Sequence, residues 1–198
     1  MMESPYSKTD KTISYLNKQY AKLFRSVASF DELNVISASH EIYNRIYTLI
    51  EQEAARLSEA VYKKYKREEN EEPFDTLAFV LALLLGYNPV TKYIFKNELD
   101  RKRARFAESL IASDTPYEEL ARARRLVAGM SAQFMDDVTF ETLVQVFRDN
   151  GVKKVRWVTS PDDRRCKECA AMHNKIYSID NIPARPHIHC RCWIEEVT

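Results

Sequence analysis

All four cysteines and three of the four histidines of this 198-residue chain fall near its C-terminus: Cys166, Cys169, His173, His187, His189, Cys190 and Cys192. Random scatter does not concentrate metal-ligand residue types in this way. Cys166-x-x-Cys169 has the spacing at which two thiolates reach one ion while backbone N–H groups of the turn point at the sulfurs. His187-x-x-Cys190-x-Cys192 supplies a second half-site. Tetrahedral zinc takes four ligands, and Cys166, Cys169, His187, Cys190 and Cys192 are five good candidates. The reading is one structural zinc ion on Cys166 and Cys169 plus two of the other three. Such an ion contributes on the order of 10 kcal/mol to folding. A segment of about 45 residues buries too little core to dispense with help of that size. His173 is read as a surface or packing histidine.

The pattern leaves two alternatives, a pair of disulfides in an oxidising setting or four free thiols. A redox-active C-x-x-C lacks the βαβ surroundings that such a motif requires. The mixed His/Cys set favours zinc over an iron–sulfur cluster. Catalytic signatures are missing: neither G-x-S-x-G nor H-E-x-x-H occurs. Cys166 and His187 could form a nucleophilic pair, but a nucleophile among three other thiols is better explained as a ligand. Asp162, Asp163 and Glu168 are read as turn caps, not as paired carboxylates. The chain holds only three glycines and no G-x-x-x-x-G-K or G-x-G-x-x-G, which argues against phosphate loops and turn-rich β folds. A non-enzymatic protein is expected.

The elements that must carry this segment read as helices. The chain is 45% hydrophobic and 30% charged with a net charge of +1, which is ordinary for a globular protein. Thr9-Asp10 offers an N-cap before Ile13, Leu16, Tyr20, Leu23 and Phe24. Ser29-x-x-Glu32 has the form of a capping box. Apolar positions then follow at three- and four-residue spacing: Leu33, Ile36, His40, Tyr43, Tyr47, Ile50, Ala54, Leu57 and Val61. That seam predicts one long helix in an antiparallel bundle, with an intermolecular coiled coil as the alternative. Phe74 to Tyr87 is apolar nearly all round and predicts a buried hairpin helix. Asn88-Pro89 signals a turn and a helix start, with a helix over Val90 to Ala112. Thr115-Pro116 opens another through about Met135. Asp137 or Thr139 caps a last helix that stops at Asn150-Gly151.

At Gly151 the texture changes. Lys153 to Thr159 reads as a strand, Ser160 to Asp163 as a turn, and the segment from Cys190 onward as a final strand. The expected fold is mainly α: a helical body over 1–150 with a small α+β zinc-knuckle module over 151–198. Met1 to Asp10 lacks the apolar core of a signal peptide. The longest apolar run, Leu77 to Leu85, is about half of a membrane span. No membrane association and a reducing, intracellular or intraparticle setting are expected.

The tail motifs together resemble a known family. They comprise Trp157-Val-Thr159, Asp162 or Asp163, Arg164-Arg165-Cys166-x-x-Cys169, Met172-His-Asn174-Lys-Ile-Tyr177 and Pro186-His187-Ile-His-Cys190-Arg191-Cys192. The combination resembles the phage Mu F-like head morphogenesis domain of minor capsid proteins and covers roughly residues 147–194. Asn174 stands where the family has glycine, and asparagine is the non-glycine residue best suited to a left-handed turn. His189 replaces a small polar residue. The family's Arg-Thr-Glu-like segment is not evident; Met130-Ser131-Ala132-Gln133 lies roughly there. The resemblance implies a minor head protein of a tailed bacteriophage that associates with the portal protein through its helical part. Major capsid or scaffold protein and DNA are further implied partners. The implied location is the virion, in the capsid interior or portal region, with the host cytoplasm during assembly. The competing reading is a zinc-stabilised nucleic-acid-binding protein of a host or mobile element. Arg148 to Lys167, with seven basic and three acidic residues, would then meet phosphate.

Overall fold

The computed structural model describes residues 4–68, 73–159 and 166–197. The predicted turn at Ser160 to Asp163, with Arg164 and Arg165 of the motif, lies outside the described residues. So do residues 69–72, just before Pro73.

The protein is mainly helical. The order is α1 (Tyr6–Phe24), α2 (Glu32–Tyr65), α3 (Thr76–Leu85), β1 (Tyr87–Asn88), β2 (Tyr93–Ile94), α4 (Phe95–Ala112) and α5 (Pro116–Asp149). Then come β3 (Lys154–Val158), α6 (Lys167–Met172), β4 (Ile176–Ser178), a 3-10 turn (Ile179–Asn181) and β5 (Trp193–Glu196). α5 is the hub, packing against α1, α2, α4 and β5. Thr9 meets Thr139 and Tyr20 meets Ser131, so α1 runs antiparallel to α5. Ser58 meets Thr142 and Tyr62 meets Asp149, so the two 34-residue helices α2 and α5 run parallel. β3 is the centre of an antiparallel sheet in the order β4-β3-β5. One apolar core continues from the helices into this sheet, and Trp157, Ile194, Leu143 and Val146 are all fully buried in it.

Local chemistry explains where the elements depart from the sequence reading. α1 begins at Tyr6 after Pro5, so Thr9 is inside the helix and bonds to Thr139 at 2.8 Å instead of capping. Asp31, not Ser29, caps α2: its carboxylate accepts the Asn34 N–H at 3.0 Å, while the Ser29 hydroxyl donates to Asp31. At its start α2 buries Val35, Ser39, Ile42 and Ile46, leaving Leu33 79% exposed. The predicted seam joins the buried face at Tyr43 and holds from Ile50 through Val61. α3 buries only Val80 and Leu84 completely, so the expected buried hairpin helix carries an exposed apolar side at Leu77, Leu85 and nearby Tyr87. Asn88 makes a turn by accepting the N–H groups of Val90 and Thr91, and a β-hairpin delays α4 to Phe95.

The expected break near Asp137 is absent, and α5 is uninterrupted. Ser131, Thr139 and Thr142 are satisfied by backbonding to the carbonyls of Val127, Met135 and Val138. Their hydroxyls also bridge to α1 and α2, so residues that resemble a cap are polar rungs between helices. Asn150 and Gly151 do end α5, with Gly151 at φ 73°. The last strand starts at Trp193, so Cys190 and Cys192 precede it. No described helix is long and apolar enough to cross a membrane.

Candidate metal centre

The cysteine cluster is assembled by α6 and by the loop that leads into β5. Cys166 occupies the N-cap of α6, where its sulfur accepts the Cys169 N–H at 3.2 Å. The two-residue spacer therefore does what its spacing predicts: it turns a backbone donor toward a sulfur. Cys169, one turn further on, is buried. Its Sγ lies 3.2 Å from His187 Nε2 and 3.6 Å from Cys190 Sγ. Two thiolates at about 2.3 Å from a tetrahedral ion would stand about 3.7 Å apart. The Cys169–Cys190 separation fits that geometry, and all four cysteines are free thiols.

The five sequence candidates fall into two overlapping groups. Cys166, Cys169 and His187 have ligand atoms within 4.8 Å of one another, and so do Cys169, Cys190 and Cys192. Cys169 is common to both. His187 Nδ1 faces the Ile188 carbonyl at 2.8 Å. A carbonyl only accepts, so Nδ1 carries the hydrogen and Nε2 presents its lone pair to the cluster. That is the arrangement in which a neighbouring carbonyl orients a metal-ligating imidazole. The donor set, mostly sulfur with one imidazole, suits a soft or borderline cation such as zinc.

Electrostatics in the cluster are divided. The Cys169 N–H holds the Cys166 thiol below its ordinary pKa. Hydrogen bonding from Cys192 brings Cys190 down to about 6, with nearby Arg185 adding to the effect. Burial pushes Cys169 up to about 12. Cys192 is pushed far above the thiol range, first by Cys190 and then by burial. The Trp157 indole Nε1 is buried without a hydrogen-bond partner among the described residues. The Ile188 carbonyl raises His187. A crowded set in which thiolates form at some sulfurs at the expense of others is what a divalent cation would relieve.

His173 does not join the cluster. Its Nδ1 accepts the Thr159 N–H at 3.2 Å, a packing role as expected. His189 also stays outside both groups, at φ 54°. Asn174 has φ 63° and donates its N–H to the Trp157 carbonyl at 2.8 Å.

The residues that hold the cluster in place were missed by sequence reasoning. Asp137 and Gln133 on α5 are buried beneath the loop. Asp137 pairs with Arg185 and accepts from Gln133 Nε2 at 2.8 Å and Asn88 Nδ2 at 2.9 Å. Arg185 Nη1 in turn donates to the Cys190 carbonyl at 2.9 Å, and Gln133 accepts the His189 N–H. The available signal was a pair of acids, Asp136-Asp137, inside an apolar helical stretch. That signal fits a helix cap equally well.

Comparison with known proteins comes to the same segment. Residues 117–195 match the family described as Phage Mu protein F like protein. The match begins in the first turn of α5 and ends in β5, so it includes Gln133 and Asp137 together with every cluster residue. No curated protein and no solved structure matches the chain.

Proposed function

We propose that the chain, whose residues 117–195 match the Phage Mu protein F like family, is a minor head protein of a tailed bacteriophage that associates with the portal and acts in head morphogenesis. The family match is the observation that carries the reading. On this view residues 1–150 form the docking body, and residues 151–198 form a module whose shape a structural zinc ion fixes. On this view the cysteines and His187 serve as ligands, and the protein performs no catalysis.

The exposed apolar side of α3 supports docking. Leu77, Leu81 and Leu85 follow at four-residue spacing, with Leu77 and Leu85 51% and 57% exposed. Helix faces of this kind seat in grooves of partner proteins. The virion is the proposed location, and the portal protein is the proposed partner on this face.

Mass spectrometry of purified virions, paired with a pull-down on the portal protein encoded nearby, tests the reading. The chain should be present in few copies and should be retained by portal. Leu77→Asp with Leu85→Asp should abolish retention without loss of helical circular dichroism, because neither side chain is in the core. Absence from virions together with no portal affinity would replace this reading with the nucleic-acid-binding one.

A further inference from the structure

Four cations that the fold does not use border the groove between α1 and α5, beside apolar residues such as Ile13, Val27 and Leu120. Near the middle of α1 it is a cleft of about 640 Å³, bordered by Ser14, Asn17, Lys18, Arg124 and Arg125. Toward the end of α1 it continues as a cleft of about 260 Å³ that includes Arg25 and Tyr117. Ala21 and Arg124 line both clefts, so the two form one channel along the helix pair. Lys18, Arg25, Arg124 and Arg125 make no ion pair with any described residue. The one acidic lining residue, Asp10, is already paired with Arg191 at 2.8 Å.

Four unneutralised cations along one channel, with the Ser14 hydroxyl and the Asn17 amide on the same wall as Lys18, suit the phosphates of a nucleic-acid backbone. Tyr117, 74% exposed at one end, offers a face on which a base can stack. Gly129, one residue beyond the lining Ala128, has no atom within 4 Å of where a Cβ would sit. Internal packing therefore does not require a glycine at that exposed helical position.

The basic stretch at 148–167 is less suited. Arg148 is engaged with the Ile179 carbonyl. Arg156 stands opposite Glu195 in the sheet. Glu196, opposite Val155, lies on the same strand.

We propose that the α1–α5 groove binds the phosphate backbone of a nucleic acid. This deepens the reading of a head protein that works beside a genome, but it does not require portal contact.

The test is fluorescence anisotropy of the purified full chain with a random-sequence single strand and with the matching duplex, over a salt series. Binding to one or both forms is expected, and the two arms identify which. Affinity should fall steeply with salt, and each charge reversal, Lys18→Glu, Arg124→Glu or Arg125→Glu, should weaken it about tenfold. Each should also reduce the salt slope by about one. Lys153→Glu with Lys154→Glu should leave binding within about twofold of the parent, since the phosphates are met elsewhere. Three results would overturn the proposal. One is no binding at low salt by a chain with native circular dichroism. Another is equal loss in the tail variant. The third is displacement by polyglutamate as effective as by DNA, which would make the groove a dock for an acidic protein. A failed portal pull-down leaves the proposal standing, and absent DNA binding leaves the portal reading standing.

Discussion

The Tyr6 hydroxyl donates to the Cys192 carbonyl at 2.9 Å, joining the first residue of α1 to the last cysteine of the cluster. The Arg191 guanidinium lies 4.7 Å over the Tyr6 ring and reaches Asp10 at 2.8 Å. Burial holds the phenol above its ordinary pKa, so it remains a neutral donor. The two ends of the chain thus close on each other at the edge of the candidate metal centre.

Tyr6→Phe should keep the packing and lose one buried hydrogen bond, at a cost of about 1 kcal/mol. Tyr6→Ala should cost about 3–5 kcal/mol and speed metal loss to a chelator, because the Cys192 loop would lose its support. Urea unfolding and chelator kinetics measure the two effects. Equal chelator rates in Tyr6→Ala and the parent would show that α1 does not brace the cluster.

Purified protein should carry about one zinc ion per chain. Cys169→Ser should abolish retention, because Cys169 belongs to both three-residue groups. Substitutions of Cys166 and Cys192 touch one group each and should weaken retention unequally. Metal analysis with a cobalt-substituted sample, whose absorption reports the number of thiolate ligands, distinguishes the ligand sets. A folded, fully reduced chain without metal would sink the assignment.

Metal-stripped protein should show a stability maximum in mildly alkaline solution. An unfolded thiol ionises near about 8.5. Cys190 in the fold is lowered to about 6. Its contribution is therefore fully present above the unfolded value and is lost as pH falls through about 6. Cys169 is raised to about 12, so its contribution is fully present below the unfolded value and is lost as pH rises through about 12. Urea midpoints across pH under reductant should fall on both sides. Cys190→Ser should flatten the acid limb, and Cys169→Ser should lessen the alkaline limb, to which the raised Cys192 also contributes. Limbs unchanged in these variants would assign the pH dependence to other groups.

The parts of this fold that were legible in the sequence depend on local chemistry. The 3–4 spacing of apolar residues gave α2 its length, Asn150-Gly151 marked the end of α5, and β-branched residues marked β3. Asn174, at φ 63°, takes the left-handed turn that asparagine tolerates. What was not legible depends on distant partners. Asp137 and Thr139 look like a cap until Arg185 and Thr9 are placed against them. Val90 to Ile94 looks helical until Asn88 turns the chain into a hairpin. In the cluster, five candidate ligand residues were visible, but their division into two groups sharing Cys169 depends on how α6 meets the β5 loop.

The buried Arg185–Asp137 pair yields the sharpest test of how α5 supports the cluster. Both side chains are under 10% exposed, and the Gln133 and Asn88 amides also donate to Asp137. Arg185→Ala would leave an uncompensated buried carboxylate, with an expected loss of about 3–5 kcal/mol. It would also remove the donor on the Cys190 carbonyl, a contact one step behind the ligands. Losing such a contact should lower metal affinity about 10–100-fold. Asp137→Asn in the Arg185→Ala background should recover part of the stability, because the buried charge is gone. It should not recover the metal affinity, because the Cys190 carbonyl still lacks its donor. Denaturant titration and competitive zinc chelation on the four proteins of this cycle separate the two roles. Recovery of both quantities together would mean that Arg185 acts on the cluster only through overall stability.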